Sequence, residues 1–310
     1  MTLLSNKFED KNIHRFAHNA MHTIFEIIID SEEKEYAEQA ANSAFEVIDR
    51  LEEVLSRFKP NSEISKINSL KIGEELKLSI DVFECLQISN NIYNITNGLF
   101  DITSGQIIDR WKNKNSNSTL DAQPINIGMN KIKLDATNYS INILSKDLTI
   151  DLGGIGKGFA IDKACELLSE WDIENAIVHS GSTVKAIGKL TGYNGWPISI
   201  SNPINTSQTI TEIILTDNSL SGSGKQKGAH IINPVTFLPV DNKAGTWAMA
   251  NSASLSDAMS TTFMIIPTEE IYDLCNNHNS IAGLVIKNDI ANLTKNDIFI
   301  SNNFRLKLLV

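Results

Sequence analysis

Cysteine is scarce in this chain. Cys85, Cys165 and Cys275 are the only three in 310 residues, far apart and without a C-x-x-C pair, which excludes a disulfide framework and a cysteine metal site. Cys165 reads as an apolar helix residue. His14, His18, His22, His179 and His278 show no H-E-x-x-H or other ligand spacing, so a zinc hydrolase is not indicated, and the absence of G-x-S-x-G removes a nucleophile elbow. Positive charge is also in deficit: 27 Lys and Arg stand against 37 Asp and Glu, a formal net charge of -10. Such an acidic chain repels nucleic acid and anionic membranes, and it would handle a polyphosphate only with a metal cation between the two. No apolar run of useful length interrupts the charges of "MTLLSNKFEDKNIHRFAHNA". A cytoplasmic protein without leader, lipid anchor or membrane span is the expectation.

What remains is an ordinary globular composition, 42% hydrophobic and 21% charged, long enough for one large domain or two average ones. "HTIFEIIID" at 22–30 reads as a strand. Ala37, Ala41, Ala44, Ile48, Leu51 and Leu55 then repeat at helical spacing, predicting a long amphipathic helix over about 33–56. A second helix is expected from Asp81, stopped by Asn97-Gly98. The polar stretch from Lys112 to Ile127 suits an exposed connection. Short strands are expected near 131–135, 140–144, 147–152, 175–179, 183–188, 196–201, 209–216, 281–287 and 297–301, with helices after Gly156 and over about 254–266. Helices and strands mix without strict alternation, which favours an α+β fold with a largely antiparallel sheet.

"TIDLGGIGKGFAID", Thr149 to Asp162, places four glycines and a lysine between a strand-like run and a helix. A Walker A loop would need its first glycine at Asp151 and Ser or Thr at Gly158, and a dinucleotide fingerprint from Gly154 and Gly156 would need glycine at Phe159. Both are excluded. Close backbone approach and helix-start amides that favour anions survive, as does a plain tight turn. In "SASLSDAMSTTFMII", 252–266, Leu255, Ala258, Met259, Thr262 and Phe263 cover one helical side while Asp257 and Thr261 stand four residues apart on the other. An oxygen-only pair suits a hard cation such as magnesium. The same pair is also readable as a first-turn acid and a solvated threonine.

These pieces occur in an order that resembles the ApbE family of FAD:protein FMN transferases, from about Met21 to Ile266. "AMHTIFEI" is similar to its M-G-T opening, "SRFKPNSEISKIN" to S-x-[YF]-x-P-x-S-E-[IL]-x-x-[IL]-N, and "TNGLFDITSG" to T-x-G-x-F-D-x-T-x-G. "IDLGGIGKGFAID" is similar to D-L-G-G-I-[AG]-K-G-[YF]-A-[VI]-D, "HIINP" to H-I-[IL]-D-P, and "SDAMST" to A-D-[AG]-L-[AS]-T. The resemblance implies a single ApbE-like (T-fold-like) domain over 19–310 behind an N-terminal extension at 1–18. It further implies magnesium held by Asp257, Thr261 and the Gly156 carbonyl, and FAD contacted by Met21, Phe58, Leu99, Phe100, Asp101, Lys157 and Phe159. His230 and Asp101 are the implied candidates for removing the proton of a Ser or Thr hydroxyl on an acceptor protein as AMP leaves. The chain departs from the family at His22, Ser182, Gly222-Ser223-Gly224, Asn233 and Val235-Thr236-Phe237. A non-catalytic FAD-binding paralogue and an FAD pyrophosphatase therefore stand as alternatives.

Overall fold

The computed structural model describes residues 2–3, 12–112, 126–146, 148–225, 228, 231–287, 293–301, 304 and 307–309. In chain order, β1 (Thr2–Leu3), β2 (Ile13–Ala20) and β3 (Thr23–Asp30) precede α1 (Lys34–Leu55), α2 (Glu63–Ser69), β4 (Glu75–Lys77), α3 (Ile80–Ile95) and α4 (Gly105–Lys112). Then come β5 (Ile132–Asp135), β6 (Ser140–Ile143), α5 (Gly156–Glu170), β7 (Ala176–Ser180), β8 (Thr183–Ile187), β9 (Trp196–Ser201) and β10 (Thr209–Leu215). The chain continues with β11 (Ser219–Gly224), β12 (Gly245–Ala250), α6 (Ala253–Ile265), α7 (Thr268–Asn277), β13 (Ala282–Ile286), β14 (Ile298–Ile300) and β15 (Lys307–Leu308).

Eight strands form the central sheet in the order β14-β13-β12-β11-β8-β7-β3-β2, each neighbour antiparallel to the next. The α+β reading with a largely antiparallel sheet is what the structure has. Strand alternation sends one set of side chains to each face. Phe25, Ile27 and Ile29 of β3, with Val178 of β7, join Ala37, Ala41, Ala44 and Ile48 of α1 and Ala160, Ile161 and Ala164 of α5 in one core. Ile28, Ile177 and Val184 point the other way, against Trp196, Ile198, Ile210 and Ile213 of the smaller sheet β1-β9-β10-β15. A helical layer, the central sheet and a second sheet are thus stacked, and a three-stranded sheet β4-β6-β5 adds Ile132, Ile141 and Ile143 to the core of the helical layer.

Two expectations are corrected. The boundary placed at residue 18 falls inside β2, which pairs with β3 along its whole length, from Ile13 opposite Asp30 to Ala20 opposite Thr23. Residues 13–18 are therefore edge strand of the main sheet. Their polar content, His14, Arg15 and His18, suits an edge and hides the strand from periodicity. Residues 147–152 form no strand among the described residues; only Thr149 bridges to Ser104. The connection expected from Lys112 to Ile127 lies mostly outside the described residues.

Candidate active site

α5 begins within the glycine stretch, at Gly156, and α6 packs against it. Gly158 makes the contact possible: a Cβ built there would lie 2.3 Å from the Ala253 carbonyl oxygen and 2.9 Å from Cβ of Asp257. No side chain fits between the helices at that point. Asp162, one turn further along α5, accepts from the Ala253 and Ser254 amides at 2.8 Å each and from Ser254 Oγ at 2.6 Å, so α5 joins the N-cap Ser252 in satisfying the first amides of α6. Lys185 Nζ, 2.6 Å away, balances the charge. At the other end of α6 the buried Lys243 ammonium donates to the Phe263 carbonyl at 2.5 Å and to that of Ile266. An anion at the helix start and a cation at its end both match the helix dipole.

The face that α6 turns to the sheet is lined by hydroxyls. Ser219 meets Ser256 at 2.7 Å, Ser223 meets Ser260 at 2.8 Å, and Thr246 Oγ1 donates to the Ser260 carbonyl at 2.6 Å. On β8 and β11 the alternation is small and polar toward the helix, apolar toward the second sheet: Thr183 and Ser221 on one side, Val184 and Leu220 on the other.

Asp257 sits in this seam. It is 5% exposed, so the helical side opposite the apolar one is covered at this position. Its Oδ1 accepts from Thr183 Oγ1 at 3.2 Å and Ser221 Oγ at 3.4 Å; its Oδ2 accepts from the Gly158 amide at 3.1 Å and lies 3.5 Å from Lys157 Nζ. Thr261 Oγ1, one turn on, lies 3.3 Å from both the Asp257 carbonyl and Ser223 Oγ. The glycine stretch and the late helix therefore meet at one carboxylate.

Above that carboxylate opens a cleft of about 540 Å³, of the size of small-molecule sites. Leu99, Phe100, Asp101, Lys157, Asp257 and Thr261 line it, as do Gly153, Gly154, Ser182 and Ser223. Gly156, the first residue of α5, lies between the lining residues Gly154 and Lys157. Asp101 Oδ1 accepts from the Thr103 amide at 2.8 Å and Thr103 Oγ1 at 2.6 Å. Burial raises the Asp101 pKa, opposed by those Thr103 bonds.

Other expected residues fall elsewhere. The Phe159 ring is 1% exposed and packed in the helical core, a correction: the turn of α5 that aims Lys157 at the cleft aims Phe159 away from it. Met21 lies in the β2–β3 turn at φ 50° with its amide bonded to Glu52, and Phe58 is 64% exposed beneath the Arg57 guanidinium; neither is among the cleft-lining residues. His230 lies outside the described residues.

Other groups that hold this site carry no motif signal for that role. Arg57 pairs with Asp109 at 2.6 Å and with Asp151 at 2.6 Å, tying the loop before α2 to α4 and to the cleft wall. The Asp109 hydrogen bond, followed by the charges of Asp151 and Asp109, raises the Arg57 pKa against burial. Thr183 carries no motif signal either, and Asp162, which closes the glycine-rich motif, carries none for its role at the start of α6.

Comparison with known proteins adds an independent line. The chain is 26% identical over 265 residues to the FAD:protein FMN transferase of Haemophilus influenzae, covering 78% of this chain and 76% of that protein. The apo flavinyl transferase ApbE of Pseudomonas stutzeri matches the structure with a TM-score of 0.81 at 18% identity, over 94% of this chain and 95% of that one. The ApbE protein of Thermotoga maritima gives 0.79 at 22%, over 94% and 97%. These two likenesses show a shared fold. The sequence model of the ApbE family matches residues 21–285, most of the chain, and this protein belongs to the ApbE family.

Proposed function

We propose that this protein transfers FMN from FAD to a serine or threonine hydroxyl of an acceptor protein, releasing AMP, with magnesium bound at Asp257, Thr261 and the Gly156 carbonyl. The observation that carries the reading is the convergence of the glycine stretch and α6 on Asp257 at the floor of a nucleotide-sized cleft. The relatives' FAD:protein FMN transferase activity supports it.

The donor set fits the metal. All the oxygens are hard ligands, and the Lys157 ammonium already takes a cation position beside Oδ2. Bound magnesium would supply charge neutralisation at the substrate's diphosphate. The protein's own groups do the rest. The α5 N-terminus, which has no side-chain cap, faces the anionic substrate. Thr183 and Ser221 fix the rotamer of Asp257. Leu99 and Phe100 give the cleft an apolar wall suited to the flavin ring. The acceptor oxygen forms a bond to the FMN phosphorus, the bond from that phosphorus to the bridging oxygen breaks, and AMP carries the bridging oxygen away. Asp101, held by Thr103 at one oxygen, is one candidate for taking the hydroxyl proton, and His230 is the other.

The test is mass spectrometry of candidate acceptor proteins after incubation with FAD and magnesium. A mass increase of one FMN on the acceptor, lost in Asp257→Ala, supports transfer. FAD binding with no adduct and no AMP means a binding paralogue, and free FMN with AMP means a pyrophosphatase; either result sinks the proposal.

A further inference from the structure

The charge on Asp257 is met unevenly. Neutral hydroxyls hold Oδ1, whereas Oδ2 is served by the Gly158 amide and by one full cation, Lys157. Among the described residues that ammonium has only long contacts, 3.5 Å to Oδ2 and 3.5 Å to the Gly153 carbonyl, and its side chain is 23% exposed at the cleft. Contacts of this length are Coulombic rather than well-formed hydrogen bonds, so the head group can leave without breaking a directional bond. Its backbone cannot leave: Lys157 lies in the first turn of α5, next to the tightly packed Gly158. A flexible four-carbon stem on a fixed pivot allows only a swing between the carboxylate and the cleft.

The geometry points to Lys157 as a displaceable counter-ion of Asp257: its ammonium occupies Oδ2 until a divalent cation takes that oxygen, and then turns into the cleft toward the substrate's diphosphate. This rests on the reading of the cleft given under Proposed function. A divalent cation at Oδ2 repels an ammonium held 3.5 Å from the same oxygen, so the metal and the ammonium compete there. The exchange also spares a nearly buried carboxylate from losing its counter-charge at any stage. With both in place, the divalent ion and the ammonium match one carboxylate and the two charges of a diphosphate. Asp151, the nearby acid on the cleft wall, is already paired with Arg57.

The test uses the full-length, flavin-free protein and Mn²⁺ as probe, with free ion counted by electron paramagnetic resonance. Lys157→Met is expected to bind Mn²⁺ roughly tenfold more tightly than the parent, because a like charge is gone from the site. Asp257→Asn is expected to bind it at least about tenfold more weakly for the opposite reason. After reductive ¹³C-methylation of lysines, the resonance missing from Lys157→Met should move when Mg²⁺ is added to the parent and stay still in Asp257→Asn. Unchanged or weaker Mn²⁺ affinity in Lys157→Met, or a Lys157 resonance indifferent to Mg²⁺, overturns the displacement. Undiminished Mn²⁺ affinity in Asp257→Asn overturns instead the cleft assignment beneath it.

Discussion

Two glycines of one helical turn should respond in opposite ways to the same substitution. In Gly158→Ala the new Cβ would stand 2.3 Å from a backbone oxygen and 2.6 Å from a backbone carbon of Ala253, atoms that move only if α6 moves. Overpacking of this kind costs about 1–3 kcal/mol. The Gly158 amide would also part from the Asp257 carboxylate, a bond to a charged group worth about 1.5–3 kcal/mol. The better helix propensity of alanine returns about 1 kcal/mol. The expected outcome is a net loss of about 3 kcal/mol, from the difference of these terms. In Gly156→Ala the Cβ would meet nothing nearer than Leu152 Cβ at 3.8 Å, an ordinary contact, and its φ is not positive. That variant should lie within about 1 kcal/mol of the parent, on the stable side. Urea unfolding followed by circular dichroism and tryptophan fluorescence measures both. Equal losses in the two variants, or a Gly158→Ala protein as stable as the parent, would refute the claim that α5 and α6 touch through backbone at residue 158.

Asp162→Asn should cost about 3 kcal/mol in the same assay, since it strands Lys185 and weakens the α6 cap, and adding Lys185→Met should recover part of the loss. Burial lowers Lys243 to about 8 from an ordinary 10.5, so the unfolded chain binds more protons between those values and this residue makes stability rise with pH across that window; unfolding of Lys243→Met should lack that rise, and parallel curves for parent and variant would contradict the assignment. If Asp101 takes the proton, turnover should fall with acid at a pH above the usual aspartate range, in the direction burial shifts it, and Asp101→Asn should lose that acid limb along with most of its rate. An unchanged pH profile would pass the role to His230.

Long periodic segments were legible from the chain alone, because α1 and β3 each commit one face to a large core and their alanines and isoleucines record it. The segments that were not legible carry the wrong kind of residue for their position. β11 reads "SLSGSG" and β12 reads "GTWAMA", in which Ser, Gly and Ala give a weak strand signal, yet the smallness of the residues facing α6, such as Ser219, Ser223 and Thr246, is what lets the helix lie close on the sheet. The helical projection of 252–266 separated Asp257 from the apolar side correctly, but it could not show that hydroxyls of β8 and β11 would cover the polar side. Phe159 shows the converse: a motif match placed it beside the nucleotide, and helix geometry turned it inward.

The two charged clamps on α6 have a consequence for how such a protein changes over time. Asp162 and Lys243 reach the helix from separate parts of the chain and hold it by its ends, so the position of Asp257 along that axis does not depend on what lines the rim. Residues such as Ser182 and Pro234 border the cleft without joining either clamp. Ligand preference can drift through rim positions of this kind while the centre beneath keeps its coordinates, a separation of selectivity from scaffold within one domain.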